Sequence, residues 1–266
     1  MKKIAIFSVP RSGSTWLGEI FNSSTNTKYC FQPLFSYSLK SYLSEDSTAE
    51  EIDEFYKKLV DSDDEFICQT QKRIDGILPQ FSKKSELSAI VFKEVRYINI
   101  IENLLNSDKE IKIIGLVRNP LSVMASWFKA PKEFNPEWSI EDQWFSAELK
   151  NQGRKEEFFG FERWLAAAKL FTKLQDKHPE QFKLVKYSEL TSNTDDTVKD
   201  LFDFVELDYE KKVLDFISES KIKQVYDTYS VYRKNQDDDK WKHVVSDSIY
   251  NSIVASLKEN NLQHFL

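Results

Sequence analysis

The chain has 266 residues, 41% hydrophobic and 14% aromatic, enough to bury the core of one enzyme-sized domain and too apolar for a disordered chain. Its net charge of −6 offers no general footprint for nucleic acid, so an anionic ligand needs a few cations gathered at one place. Cys30 and Cys68 lack metal-ligand spacing and read as reduced thiols, and no apolar run reaches membrane-spanning length; a cytoplasmic location is expected.

The first predicted element is a buried strand over Ile4–Val9. It feeds Pro10-Arg11-Ser12-Gly13-Ser14-Thr15, a turn of small and hydroxyl residues, and a helical pattern follows from Trp16. That order gathers backbone N–H groups, the positive end of a helix dipole and one arginine around a point suited to a phosphate-like anion. No lysine precedes the Ser-Thr pair, so this is not the GxxxxGK[ST] nucleotide loop. A charged, irregular segment over 34–87 comes next.

Ala89–Phe92 reads as the second strand, followed by Ile98, Ile101, Leu104 and Leu105 at helical spacing. Ile111–Val117 is the third, ending in Arg118-Asn119-Pro120 and a helix that carries Ser122 and Ser126 on one face. A second irregular segment spans 128–157, before a helix marked by Phe161, Trp164, Leu165 and Ala168. Phe182–Val185 is the fourth strand; Val198, Leu201, Phe202 and Val205 form a helix after it, and Ile249, Ile253, Val254 and Leu257 form the last. Strands alternating with helices predict an α/β fold, a central parallel sheet flanked by helices. With no linker or repeat, 1–266 is one domain, in which 34–87 and 128–157 are expected as helical insertions or lids.

Ligands of such sheets bind at the carboxyl ends of the strands, and two strand ends carry suggestive residues. Alone, the Arg118-Asn119-Pro120 turn reads as a solvated loop. Together, PRSGSTWL and LVRNPLSVMASW resemble the sulfotransferases that use 3′-phosphoadenosine 5′-phosphosulfate (PAPS). The strand end Leu184-Val185-Lys186-Tyr187-Ser188-Glu189-Leu190, and Tyr232-Arg233-Lys234-Asn235 with Lys240-Trp241-Lys242, are similar to later segments of that family, and Gln32-Pro33-Leu34 with the Lys93…Arg96 strand end resembles its bacterial and carbohydrate-type members. The resemblance implies a P-loop-nucleotide-kinase-like sheet with PAPS as sulfuryl donor, 3′,5′-adenosine bisphosphate (PAP) as product, and no metal. It implies that Arg11, Ser12, Gly13, Ser14, Thr15 and Trp16 hold the 5′-phosphosulfate. Arg118 and Ser126 would take the 3′-phosphate, with Tyr187, Arg233 and Lys234 completing the donor site. Lys93 matches a family lysine that touches the transferring group, so Arg11 and Lys93 are the expected transition-state stabilisers.

The general base is the awkward part. Gln32, in Phe31-Gln32-Pro33-Leu34, stands where some members carry a glutamate, and an amide accepts no proton. His178, His243 and His264 read as surface residues, and Glu19 as a solvated helix charge. Glu94, after the second strand, is the best remaining base, with an ion pair to Arg96 or Lys93 as its plainer role. Phe134, Trp138, Trp144 and Phe145 either stack on an acceptor or, as area burial favours, pack the insertion. The expected acceptor is a hydroxyl or amine of a glycan, glycolipid or small metabolite. Two readings compete: a nucleotide-kinase-like enzyme using Mg-ATP, and a nucleotide-binding protein with impaired catalysis.

Overall fold

The computed structural model describes residues 1–227, 230–232 and 238–266. Five parallel strands form one sheet in the order β2-β3-β1-β4-β5. They are β1 (Lys2–Ser8), β2 (Thr27–Phe31), β3 (Ala89–Glu94), β4 (Lys112–Val117) and β5 (Phe182–Lys186). Four match the expected runs. The fifth, β2, is an edge strand of five residues whose apolar stretch is only Tyr29-Cys30-Phe31, too short to stand out from a loop.

Side chains alternate across the sheet and build two cores. On one face Ile4, Ile6, Ala89, Val91, Ile114 and Leu116 pack beneath α1 (Ser14–Ser23) and the later helices, where Phe21 stacks on Phe202 at 4.8 Å. On the other, Ala5, Phe7, Ile90, Phe92 and Ile113 lie under α2 (Ala49–Asp61), α3 (Ile101–Ser107) and α5 (Phe161–Lys177). Phe55 of α2 meets Phe92 edge-on at 5.4 Å. Between α3 and α5 the chain forms β4 and then α4 (Pro120–Phe128), whose N-cap is Asn119, with its side chain accepting the Leu121 N–H at 2.9 Å. The sheet ends with β5, which passes into α6 (Tyr187–Ser192).

Within 34–87 the helical part is α2 plus two short turns, Glu65–Cys68 and Thr70–Ile74. Within 128–157 there are only the short helices Ile140–Gln143 and Glu148–Asn151. No helix among the described residues is long and apolar enough to cross a membrane.

Candidate active site

A cavity of about 410 Å³ opens at the carboxyl ends of the strands, with both predicted loops and Lys93 on its wall. Among its described lining residues are five cations, Arg11, Lys93, Arg118, Lys129 and Lys240, against two carboxylates, Glu133 and Asp238. The cavity is therefore a local positive focus in an acidic chain.

The first loop turns sharply. Arg11 has φ 70° and Gly13 has φ 90°, both left-handed, and a Cβ at Gly13 would lie 2.5 Å from Cε2 of Tyr187. Only glycine fits between the loop and that ring. The first-turn N–H groups of α1 at Ser14 and Thr15 have no intrahelical partner by position, whereas Trp16 N–H donates to the Gly13 carbonyl at 3.1 Å. Trp16 also anchors α1, its indole donating to Ser220 Oγ at 2.9 Å. Ser12 Oγ is buried without a partner.

Arg118 is held on every side. Its Nη1 donates to the Arg11 carbonyl at 2.8 Å, its Nε to Asp238 Oδ1 at 2.9 Å, and its Nη2 to the same oxygen. The guanidinium lies 4.6 Å from the Tyr187 ring centroid. Ser122 Oγ donates to the Asp238 carbonyl at 2.7 Å, so arginine and serine grip one residue together. The other α4 serine, Ser126, accepts from Arg11 Nε at 3.1 Å. Ser122 thus sits with Arg118 and Ser126 with Arg11, one helical turn apart on a shared face. Arg233 and Lys234 lie outside the described residues.

Lys93 and Gln32 form another part of the wall. Lys93 is 2% exposed, with its ammonium 4.3 Å from the Phe31 ring centroid. Burial pushes this ammonium well below the usual lysine range, and the Glu94 charge only partly opposes that. Gln32 has φ 42° and extends the β2–β3 pairing by donating its N–H to the Lys93 carbonyl at 2.8 Å. Its Oε1 accepts from Arg96 Nη1 at 3.0 Å, while Arg96 Nε donates to Glu157 Oε2 at 3.0 Å. With that oxygen taken, Gln32 has its amide N–H₂ left to offer, a donor and not a base.

Glu94 follows Lys93 on β3 and so turns to the opposite face of the sheet. It is fully buried, is not among the residues lining the cavity, and accepts the Leu34 N–H on Oε1 at 2.8 Å. Burial raises its carboxyl far above the ordinary range. The structure brings together Arg11, Gly13, Lys93, Gln32, Arg118, Ser126 and Tyr187, and leaves Glu94 behind the sheet. There it braces the Gln32-Pro33-Leu34 turn from beneath.

The aromatics of 128–157 pack on one another and on the helices to either side. Phe134 meets Trp127 edge-on at 5.0 Å, Trp144 stacks on Phe161 at 6.0 Å, and none of Phe134, Trp138, Trp144 and Phe145 lines the cavity. Among the described residues the lining aromatics are Trp16, Phe31, Tyr187 and Trp241. Sequence reasoning missed Asp238 and Glu133, since nothing local marks a carboxylate that reaches an arginine more than a hundred residues away.

A family model, the sulfotransferase domain, matches residues 1–258. No curated protein matches the chain. Among solved structures it is similar to the mouse sulfotransferase SULT7A1 complexed with PAP, at 14% identity and a TM-score of 0.58, covering 97% of this chain and 83% of that one. The sulfotransferase domain of the Synechococcus PCC 7002 olefin synthase is similar at 17% identity and a TM-score of 0.56, with 97% and 93% coverage. The sulfotransferase domain from the curacin biosynthetic pathway gives 18% identity, a TM-score of 0.56 and 97% coverage of both chains. At such identities these likenesses speak for the fold.

Proposed function

This chain belongs to the sulfotransferase-domain family, and from that premise we propose that it moves a sulfuryl group from PAPS to a hydroxyl of an acceptor. The observation that carries the reading is Arg118, which already grips an anionic group, the Asp238 carboxylate, beside the first loop, while Ser122 holds the backbone carbonyl of the same residue. That carboxylate is a stand-in for the 3′-phosphate, which makes the same demand on a guanidinium fork. The start of α1, whose Ser14 and Thr15 line the cavity with first-turn N–H groups that have no intrahelical partner, suits the 5′-phosphosulfate.

In this reading the first-turn N–H groups of α1 hold the 5′-phosphate, and Arg11 faces the bridging oxygen where charge develops as the bond to sulfur breaks. Lys93 neutralises the departing sulfuryl oxygens from a site that excludes water, where a fixed charge acts most strongly. Gln32 donates to the sulfuryl group or to the incoming hydroxyl. The acceptor enters beside Phe31 and Gln32, a ring face next to a hydrogen-bond donor, which suits a hydroxyl of a glycan, glycolipid or small metabolite. Domain 1–266 acts as one unit, with 34–87 packing Phe66 against Phe31 and 128–157 closing the wall at Glu133.

Calorimetric titration with PAP, AMP and Mg-ATP, repeated on Arg118→Ala, tests the donor site. Tighter binding of PAP than of AMP, lost in the variant, supports the reading. Equal binding of PAP and AMP, or a preference for Mg-ATP, would overturn it.

A further inference from the structure

Transfer to a neutral hydroxyl needs a destination for its proton, and the residues expected to accept it are elsewhere. Gln32 is an amide, Glu94 faces the other side of the sheet, and none of His178, His243 and His264 lines the cavity. Two carboxylates do line it among the described residues, and Asp238 is committed to Arg118. The other is Glu133.

Glu133 is fixed in place by its backbone. Its N–H donates to the Ala130 carbonyl at 2.8 Å, and its own carbonyl accepts the Trp127 indole N–H at 3.2 Å. Phe134, the next residue, is buried against Trp127, so the turn cannot swing without opening an aromatic cluster. From this mount Oε1 lies 3.7 Å from Arg11 Nη1, a loose ion pair. Oε2 is shielded from solvent and has no hydrogen-bond partner. A shielded carboxylate oxygen with an unused lone pair is costly unless something comes to donate to it.

Resting on the donor reading above, we propose that Glu133 is the general base: as Arg11 turns to the donor, the carboxylate rotates on its fixed backbone into the cavity it lines, and the acceptor hydroxyl becomes its missing donor. The acceptor oxygen forms a bond to sulfur while the bond from sulfur to the bridging phosphate oxygen breaks. That oxygen keeps the electron pair and leaves as part of PAP, and the hydroxyl proton passes to Glu133 and then to solvent. Arg11 serves both ends: it lies beside Glu133 in the free protein, and it turns to the bridging oxygen when the donor binds.

Three measurements on the intact wild-type chain, on Glu133→Gln and on Glu133→Asp test this. Calorimetry with PAP reports the donor site. PAP-dependent release of 4-nitrophenolate from 4-nitrophenyl sulfate moves the sulfuryl group onto PAP with a leaving group that needs no proton. Hydrolysis of radiolabelled PAPS, with water as the probe acceptor, requires that a proton be removed. Glu133→Gln is expected to bind PAP and release nitrophenolate like the wild type, while hydrolysis falls by about 10²-fold or more and Glu133→Asp recovers part of it. Equal hydrolysis by wild type and Glu133→Gln, at background or above it, overturns the proposal. Equal loss in both reactions also overturns it, because Glu133 would then only hold Arg11. A wild type that binds no PAP fails the donor reading itself, a result separate from either.

Discussion

Two parts of one cavity are built on opposite plans. Around Arg118 the described donors have acceptors in place: the Arg11 carbonyl, the Asp238 carboxylate and, for Ser122, the Asp238 backbone. Around Lys93 and Glu133 the groups are under-satisfied: a buried ammonium on a ring face, and a carboxylate oxygen with no partner. A satisfied cluster holds a ligand by exchanging one anion for another, at little net cost in desolvation. An under-satisfied cluster holds interactions in reserve for charge that exists only while a bond is breaking, and interactions of that kind raise the rate of the chemical step.

The sharpest way to break this contrast is to strip the reactive part. Lys93→Ala is expected to lower kcat by about 10²–10³-fold while PAP affinity changes far less, measured by single-turnover transfer beside calorimetry. Comparable losses in both would mean that Lys93 is a binding group like Arg118. The reverse signature belongs to Arg118→Ala, which should weaken PAP by roughly 2–5 kcal/mol with little effect on AMP. Gly13→Ala strikes between the two parts, because the added Cβ would meet the Tyr187 ring at a φ of 90°. It should cost about 1–3 kcal/mol, seen as a lower Tm together with weaker PAP binding. The smallest effect is expected from Asp238→Asn, which removes the charge that the 3′-phosphate must displace. The pair is partly exposed and worth about 0–1 kcal/mol, so PAP should bind tighter by no more than about fivefold. Weaker binding in that variant would show that Asp238 supports the donor site instead of competing for it.

Lys93 also sets a pH signature. Its ammonium is held below the usual lysine range by burial, so the cation is present at low pH and lost as pH rises through that depressed value. The kcat/KM profile should then fall on its alkaline side well before an ordinary lysine titrates. Lys93→Arg, permanently charged, should remove that limb even if its absolute rate is lower.

Much of this was legible in the sequence because it is local. Ile4–Val9 and the turn after it announce a strand, an anion loop and a helix start within fourteen residues, and the Arg118-Asn119-Pro120 strand end is equally self-contained. Phe92-Lys93-Glu94 was legible as a strand end, but which of its two charges faces the cavity depends on the phase of the strand against its neighbours. Glu133 and Asp238 were illegible for another reason. Each sits in an aperiodic turn, and each gains its meaning from an arginine brought to it by the fold. The edge strand β2 escaped because five residues, two of them polar, resemble the loops on either side.

The alternation at the end of β3 has a consequence for how the chain tolerates a change of length. Lys93 pairs with Ile6 on one side and Phe31 on the other. A slip of one residue in that ladder exchanges which side chain faces which core, and so presents Glu94 to the donor in place of Lys93. The polarity of the site is thus fixed by backbone register. A single residue removed between Ser88 and Lys93 would place Glu94 opposite Ile6 and Phe31 and turn an anion receptor into an anion repeller, even with every side chain of the two loops unchanged.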